Sequence, residues 1–293
     1  MEKKVRVITP AQGIRFMVVF AILDGSAGMF IKMLPWNPFV IAGLRGALAS
    51  LLLFSYYKCQ GIKMVMTKRT LLAGCMISAM FISFIAATRL TASANAIALQ
   101  YCNPIFLLFL SFLLLKQKPK WRDILAVLGV SAGIAMIFSG SVTAGGFSGN
   151  LLAVFSGLCL AGMLLFNNLV KDPAEHYSAL VSGHAITFLA SIYFIIAYPP
   201  SFGIKNTLAI LALGILQQVI PLILYSYAIR VCQPLACSLI MMLQLVINPL
   251  LVFLATGEMP TVLETLGCAA IFLVSAAVLV VNTKAPKSDS QTA

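Results

Sequence analysis

Charge is scarce in this chain. Lys, Arg, Asp and Glu make up 10% of its residues against 61% hydrophobic residues, where a soluble globular domain carries about 25% charged residues. Eight acids and two histidines are too few for the acid, His and Arg cluster at one membrane face that a lipid- or prenyl-modifying enzyme would need. The chain has no Gly-x-x-x-x-Gly-Lys phosphate loop, no His-Glu-x-x-His and no Cys-x-x-Cys. These absences argue against direct ATP coupling, a zinc hydrolase and a thiol-held metal, so an enzymatic role and a cofactor are not expected. The seven cysteines fall mostly inside apolar stretches and read as small packing residues.

What is abundant is long apolar sequence, with a mean hydropathy of +1.00. A helix crossing a bilayer core needs about 20 apolar residues. Runs bounded by charge, proline and glycine predict spans over 14–32, 38–57, 69–88, 93–115, 123–139, 149–170, 178–198, 207–229, 235–255 and 262–282. That count leaves only short loops, so the expected fold class is an all-α integral membrane protein of ten transmembrane helices, with the lipid bilayer as its partner. The basic residues before the first span (Lys3, Lys4, Arg6) are followed by no small-residue cleavage site, so that segment is expected to be retained. The net charge of +12 predicts no nucleic-acid partner, because the basic residues punctuate apolar runs instead of forming a stripe. With the N-terminus inside, sixteen of the twenty Lys and Arg lie on the cytoplasmic side; Lys32, Arg89 and Lys205 lie outside, and Arg45 lies within a span. This positive-inside bias predicts both termini cytoplasmic.

The sequence also repeats. Arg89 and Arg230, Gln117 and Glu258, and Pro119 and Pro260 are each 141 positions apart. Five spans per repeat is an odd number, so the second repeat must enter the membrane inverted. The basic loop from Lys116 to Arg122 is predicted inside, and its acidic counterpart from Glu258 to Glu264 outside. The expected organisation is a cytoplasmic tail over 1–13, five-helix repeats over 14–145 and 146–283, and a second cytoplasmic tail over 284–293. Two inverted five-helix repeats place a substrate site near the midplane and rock about it for alternating access.

An ionisable residue deep in a bilayer faces a cavity or a partner by default. Asp24 lies about 15 Å into the first span at 1.5 Å per residue, and Arg45 about 10 Å into the second from the other side. Asp24 is a candidate proton-coupling site or counter-ion for a substrate amine, and Arg45 a candidate carboxylate holder; a purely structural Asp24–Arg45 ion pair is the alternative. Gln100 and Asn103, and Gln244 and Asn248, stand at helical spacing near mid-span. Gln217 and Gln218, with Pro221 and Tyr225, make a polar stripe beside a kink. These amides either line a cavity or hold helices together. His184 is a candidate proton shuttle or a helix contact. Phe81, Phe84, Tyr101 and Trp36 are candidates for a cation cage, with Trp36 alternatively an interfacial anchor. Ser93 and Asn95 are expected to cap the fourth span. His176, with Asp172 and Glu175, reads as solvated linker.

Gly25-Ser26, Lys32, Pro35 and Ala42-Gly43-Leu44-Arg45-Gly46, then Asn103-Pro104 through Leu115-Lys116-Gln117 and Leu243-Gln244-Leu245 through Thr256-Gly257-Glu258, carry a resemblance. The chain resembles the ten-helix EamA-type transporters of the drug/metabolite transporter superfamily nearly end to end. It departs from them at Asp24, where Trp is usual, at Gln117, where Glu is usual, and at Leu245, where Pro is usual. The resemblance implies a secondary transporter in the bacterial cytoplasmic (inner) membrane that exports or exchanges a small polar metabolite. Paired Asp24 and Arg45 favour an amino acid or related zwitterion as the small-molecule substrate, with a proton as candidate coupling ion and a homodimer as candidate assembly. The rivals are a cationic or quaternary-amine solute, a passive pore and a multi-span enzyme acting on lipid.

Overall fold

The structure is a computed structural model that describes residues 9–116, 121–144, 146–169, 172–228, 231–232, 237 and 240–284. Gln117, Pro119, Arg230, Lys3, Lys4, Arg6 and Lys287 lie outside the described residues. The described elements are all helical: α1 (Pro10–Gly25), α2 (Ala27–Met33), α3 (Pro38–Cys59), α4 (Lys68–Leu90), α5 (Ser93–Gln100), α6 (Asn103–Leu115), α7 (Trp121–Ala144), α8 (Phe147–Leu169), α9 (Pro173–Ala197), α10 (Ile204–Leu211), a π-helical segment (Ala212–Val219), α11 (Ile220–Ala228), α12 (Gln244–Thr256) and α13 (Val262–Lys284). Seven helical stretches are long and apolar enough to cross a membrane, and three shorter apolar helices lie at Val127–Ser139, Gln244–Thr256 and Val262–Val274. The chain is therefore a multi-pass membrane protein. Leu51, Leu72, Leu128, Ile196 and Leu254 are exposed on its outer surface, where lipid meets them.

Local sequence sets several helix starts. Thr9 Oγ1 accepts from Gln12 N at 3.3 Å while Gln12 Oε1 accepts from Thr9 N at 2.9 Å, closing a capping box on α1. Asn37 and Asp172 accept from Phe39 N (2.9 Å) and Ala174 N (2.8 Å) and so cap α3 and α9. Asp172 is thus a helix cap, more than solvated linker. Ser93 and Asn95 do not cap α5, whose N-cap is Ala92 without a side-chain bond. Their side chains reach across to Asn248 and Glu264 instead, because the break before α5 is buried and its polar groups find tertiary partners.

Small residues bring the helices into close antiparallel contact. Gly43 and Gly46 of α3 lie against Ser191 and against Thr187 and His184 of α9, between a stacked Phe39–Phe194 pair (4.2 Å) and a Tyr57–Tyr177 pair (4.4 Å). Gly129 and Gly133 of α7 meet Val274 and Ile271 of α13. α4 runs between α8 and α9, and α1 packs on α11 and α12. A recurring exchange underlies these contacts: α4 with α8 corresponds to α11 with α1, and α4 with α9 corresponds to the π segment with α3.

The expected span 93–115 is not one helix. It breaks at Tyr101 and Cys102, because Pro104 has no N–H to give the carbonyl of Gln100. Cys102 N and Ile105 N bond three residues back instead, to Leu99 O and Cys102 O. α12 begins after a matching break at Met242 and Leu243, 141 positions further on. Leu245 N there bonds Met242 O, which leaves Met241 O for the hydroxyl of Tyr101 at 3.3 Å. Each break therefore has a physical account: proline at the first, a side-chain donor from the first break at the second. The first span is interrupted too, at Ser26, whose Oγ donates to Leu23 O at 2.6 Å.

Candidate functional site

The interruptions gather round Asp24. It lies at the end of α1, one residue before Gly25, whose absent side chain lets α1 approach Ile247 and the Cα of Gln244. Facing it is the π segment, a wider turn whose last bond runs five residues back, from Ile220 N to Ile215 O. Gln217 and Gln218 both point inward and are buried. Gln217 Nε2 donates to Asp24 Oδ1 at 2.7 Å and approaches the Asp24 carbonyl at 3.4 Å. Arg45 Nη2 donates to Gln218 Oε1.

Asp24 and Arg45 thus lie in one buried cluster, yet no ion pair joins them within 4 Å; among the described residues the salt bridge found is Lys32–Glu258. In place of a direct ion pair the charges meet neighbouring amides, Gln217 with Gln244 beside Asp24 and Gln218 on Arg45. Arg45 is 2% exposed, and its guanidinium lies 4.5 Å from the centre of the Phe81 ring. His184 stacks on the other side of Phe81 at 4.8 Å and 21°. Several buried atoms here make no hydrogen bond within the protein: Arg45 Nε and Nη1, His184 Nε2, Gln217 Oε1 and Gln244 Nε2. Leaving a buried polar atom unpaired costs about 1–3 kcal/mol. The cluster therefore holds both donors and acceptors that no protein group satisfies.

Other sequence candidates separate from it. Gln100 Nε2 bonds Ser156 Oγ of α8 at 2.7 Å and acts between helices; the break at Tyr101 also removes the shared helical face expected of Gln100 and Asn103. Asn103 is buried at the start of α6. Asn248 accepts from Ser93 Oγ at 2.6 Å. Tyr225 packs on Phe20 at 5.7 Å, along the α1–α11 contact. Phe81, Phe84, Tyr101 and Trp36 make no cage: no ring contact joins them, and Phe84 belongs to the apolar core. Trp36 is buried against Phe202 at 5.5 Å instead of facing the interface.

Sequence reasoning missed a second polar network at one end of the bundle. Lys32 Nζ bonds Glu258 Oε2 at 2.7 Å and Thr91 O at 2.9 Å, and Glu258 Oε1 accepts from Ser93 N at 2.8 Å. Below it, Thr91 Oγ1 donates to Asn150 Oδ1 at 2.8 Å, and Asn95 Nδ2 donates to Glu264 Oε1 at 2.5 Å. The available signal was that Lys32 and the Glu258–Glu264 acids were expected on the same, outer side.

Over residues 11–139 the chain matches the EamA-like transporter family. This is the drug/metabolite transporter group that the sequence resembles, and the match covers the first five of the expected spans, including Asp24, Arg45, Gln100 and Asn103. No curated protein sequence matches the chain. Sixteen chains of solved structures do. One of them, described only as "Crystal structure of protein", superposes with a TM-score of 0.63 at 17% identity, over 94% of this chain and 99% of that one. At that identity the likeness is one of fold.

Proposed function

We propose that this EamA-type protein is a secondary transporter of the cytoplasmic membrane that moves a small zwitterionic metabolite, favoured as an amino acid, by alternating access. In this reading ten spans form two inverted five-helix repeats over 14–145 and 146–283, with both termini cytoplasmic. The exchanged contacts, the antiparallel α3–α9 and α7–α13 pairs and the matching helix breaks at Tyr101–Cys102 and Met242–Leu243 support it. Transporters built this way bind substrate at the repeat interface, where helices are discontinuous.

One observation carries the substrate class. Asp24 and Arg45 are opposite charges in one buried cluster that do not neutralise each other directly. A solute with an ammonium and a carboxylate complements both, and charge-assisted hydrogen bonds are about twice as strong as neutral ones. A proton is the candidate coupling ion, with Asp24 its carrier, and the export direction and a homodimer belong to the same reading.

The test is thermal unfolding of the purified protein in detergent with amino acids, amines, quaternary ammonium compounds and sugars, since a ligand stabilises by RT ln(1 + [L]/Kd). The expected outcome is a shift with a neutral amino acid that both Asp24→Asn and Arg45→Gln abolish. Loss in Asp24→Asn alone, with amines as the active ligands, would replace this reading with a cationic substrate. A panel that shifts nothing would remove the substrate class.

A further inference from the structure

Gln217 and Gln218 are neighbours in the chain, yet they serve opposite charges through opposite ends of the same functional group. The chemistry fixes their orientation: an ionised carboxylate only accepts and a guanidinium only donates, so Gln217 must present its NH2 to Asp24 and Gln218 its carbonyl to Arg45. Together they offer one donor and one acceptor, the neutral likeness of an ammonium and a carboxylate. The π segment that carries them ends at Val219, just before the helix that holds Pro221.

We propose that Gln217 and Gln218 are an internal stand-in for the zwitterionic substrate, and that substrate binds by displacing their amides from Asp24 and Arg45. This rests on the reading that the site takes a zwitterion. A neutral amide bonds an ion more weakly than a counter-ion does, so ammonium displaces the Gln217 NH2 and carboxylate displaces the Gln218 carbonyl. The same cluster keeps buried donors without a bond, Arg45 Nε and Nη1, and a buried acceptor without one, Gln217 Oε1, so the amides that bridge the ions leave hydrogen-bonding capacity unused. The arrangement also keeps Asp24 and Arg45 from collapsing on each other, so that no buried ion pair must be broken before substrate enters. A solute with a single charge displaces a single amide and leaves the other in place, which makes the pair a selectivity device for zwitterions.

The experiment uses the full-length protein in detergent, the amino acid that gives the largest thermal shift, its carboxamide (amine only) and its N-acetyl derivative (carboxylate only). Dissociation constants are measured for wild type, Gln218→Met, Gln218→Glu and Gln217→Met. Methionine keeps the volume and removes the hydrogen bond. Gln218→Met is expected to tighten the two carboxylate-bearing ligands roughly fivefold, the size of one ordinary net hydrogen bond, and to leave the carboxamide unchanged. Gln217→Met is expected to tighten the two amine-bearing ligands alone. Gln218→Glu places a permanent carboxylate on Arg45 and is expected to weaken the carboxylate-bearing ligands about tenfold or more while raising the unfolding temperature of the ligand-free protein. If both methionine variants weaken all three ligands equally, the glutamines are direct substrate contacts or structural, and the stand-in is overturned while the zwitterion reading survives. If no amino acid shifts wild type, the zwitterion reading falls and takes the stand-in with it.

Discussion

Gly28 lies where α2 crosses the Ser93–Asn248 hydrogen bond, and a Cβ there would collide with Ser93 Oγ and both amide atoms of Asn248. Gly28→Val is therefore expected to lower stability by about 1–3 kcal/mol, read as a lower unfolding temperature in detergent, whereas Gly203→Ala, with open space around it, should change little. Asp24 and Arg45 were legible from sequence because a charge inside an apolar run demands a partner. Their bridging was not legible, because Gln217 and Gln218 divide the two charges only through the π segment, and no local pattern announces which neighbouring amide turns to which ion. Gln100, left open between two roles, bonds across helices: at mid-span an amide that glues helices and one that lines a cavity look alike in sequence.

The helical breaks are the element-scale feature on which the site depends. Neither break was expected from sequence: Pro104 marks the first, whereas the second at Met242–Leu243 carries Leu245 in the proline position and matches the first only through its offset of 141. What holds the second open is Tyr101, donating to the carbonyl of Met241 from the opposite break. Tyr101→Phe leaves that carbonyl unpaired and is expected to cost about 1–3 kcal/mol. The same variant should weaken amino-acid binding by raising the cost of the discontinuous geometry next to Gln244, and isothermal titration against wild type checks this. Gly157 serves the first break in a complementary way: a Cβ would stand 2.9 Å from the freed carbonyl of Gln100, so Gly157→Val should be among the more damaging small-residue changes in α8.

For the molecule as a whole, the Lys32–Glu258 pair with Ser93 and Thr91 ties α2, the start of α5 and the loop after α12 at one end of the bundle. The all-helical, multi-pass character was legible at this scale because long apolar runs recur along the chain, while contacts between loops depend on tertiary placement that periodicity does not encode. Under the proposed alternating access this end must open and close. Glu258→Ala is expected to speed hydrogen–deuterium exchange in the peptide containing Ser93, whose N–H is bonded to that carboxylate, and to shift the protein toward the state open at this end; unchanged exchange would mean that the pair does not hold it shut. The exchanged contacts have a consequence for biogenesis. Because α3 closes on α9, α4 on α8 and α7 on α13, the helices made first leave the ribosome with their glycine faces bare and cannot finish packing until the last helix is inserted. The chain must wait for its own C-terminus, so two separately translated halves should complement each other in one membrane, while the first half alone should be a substrate for quality-control proteases.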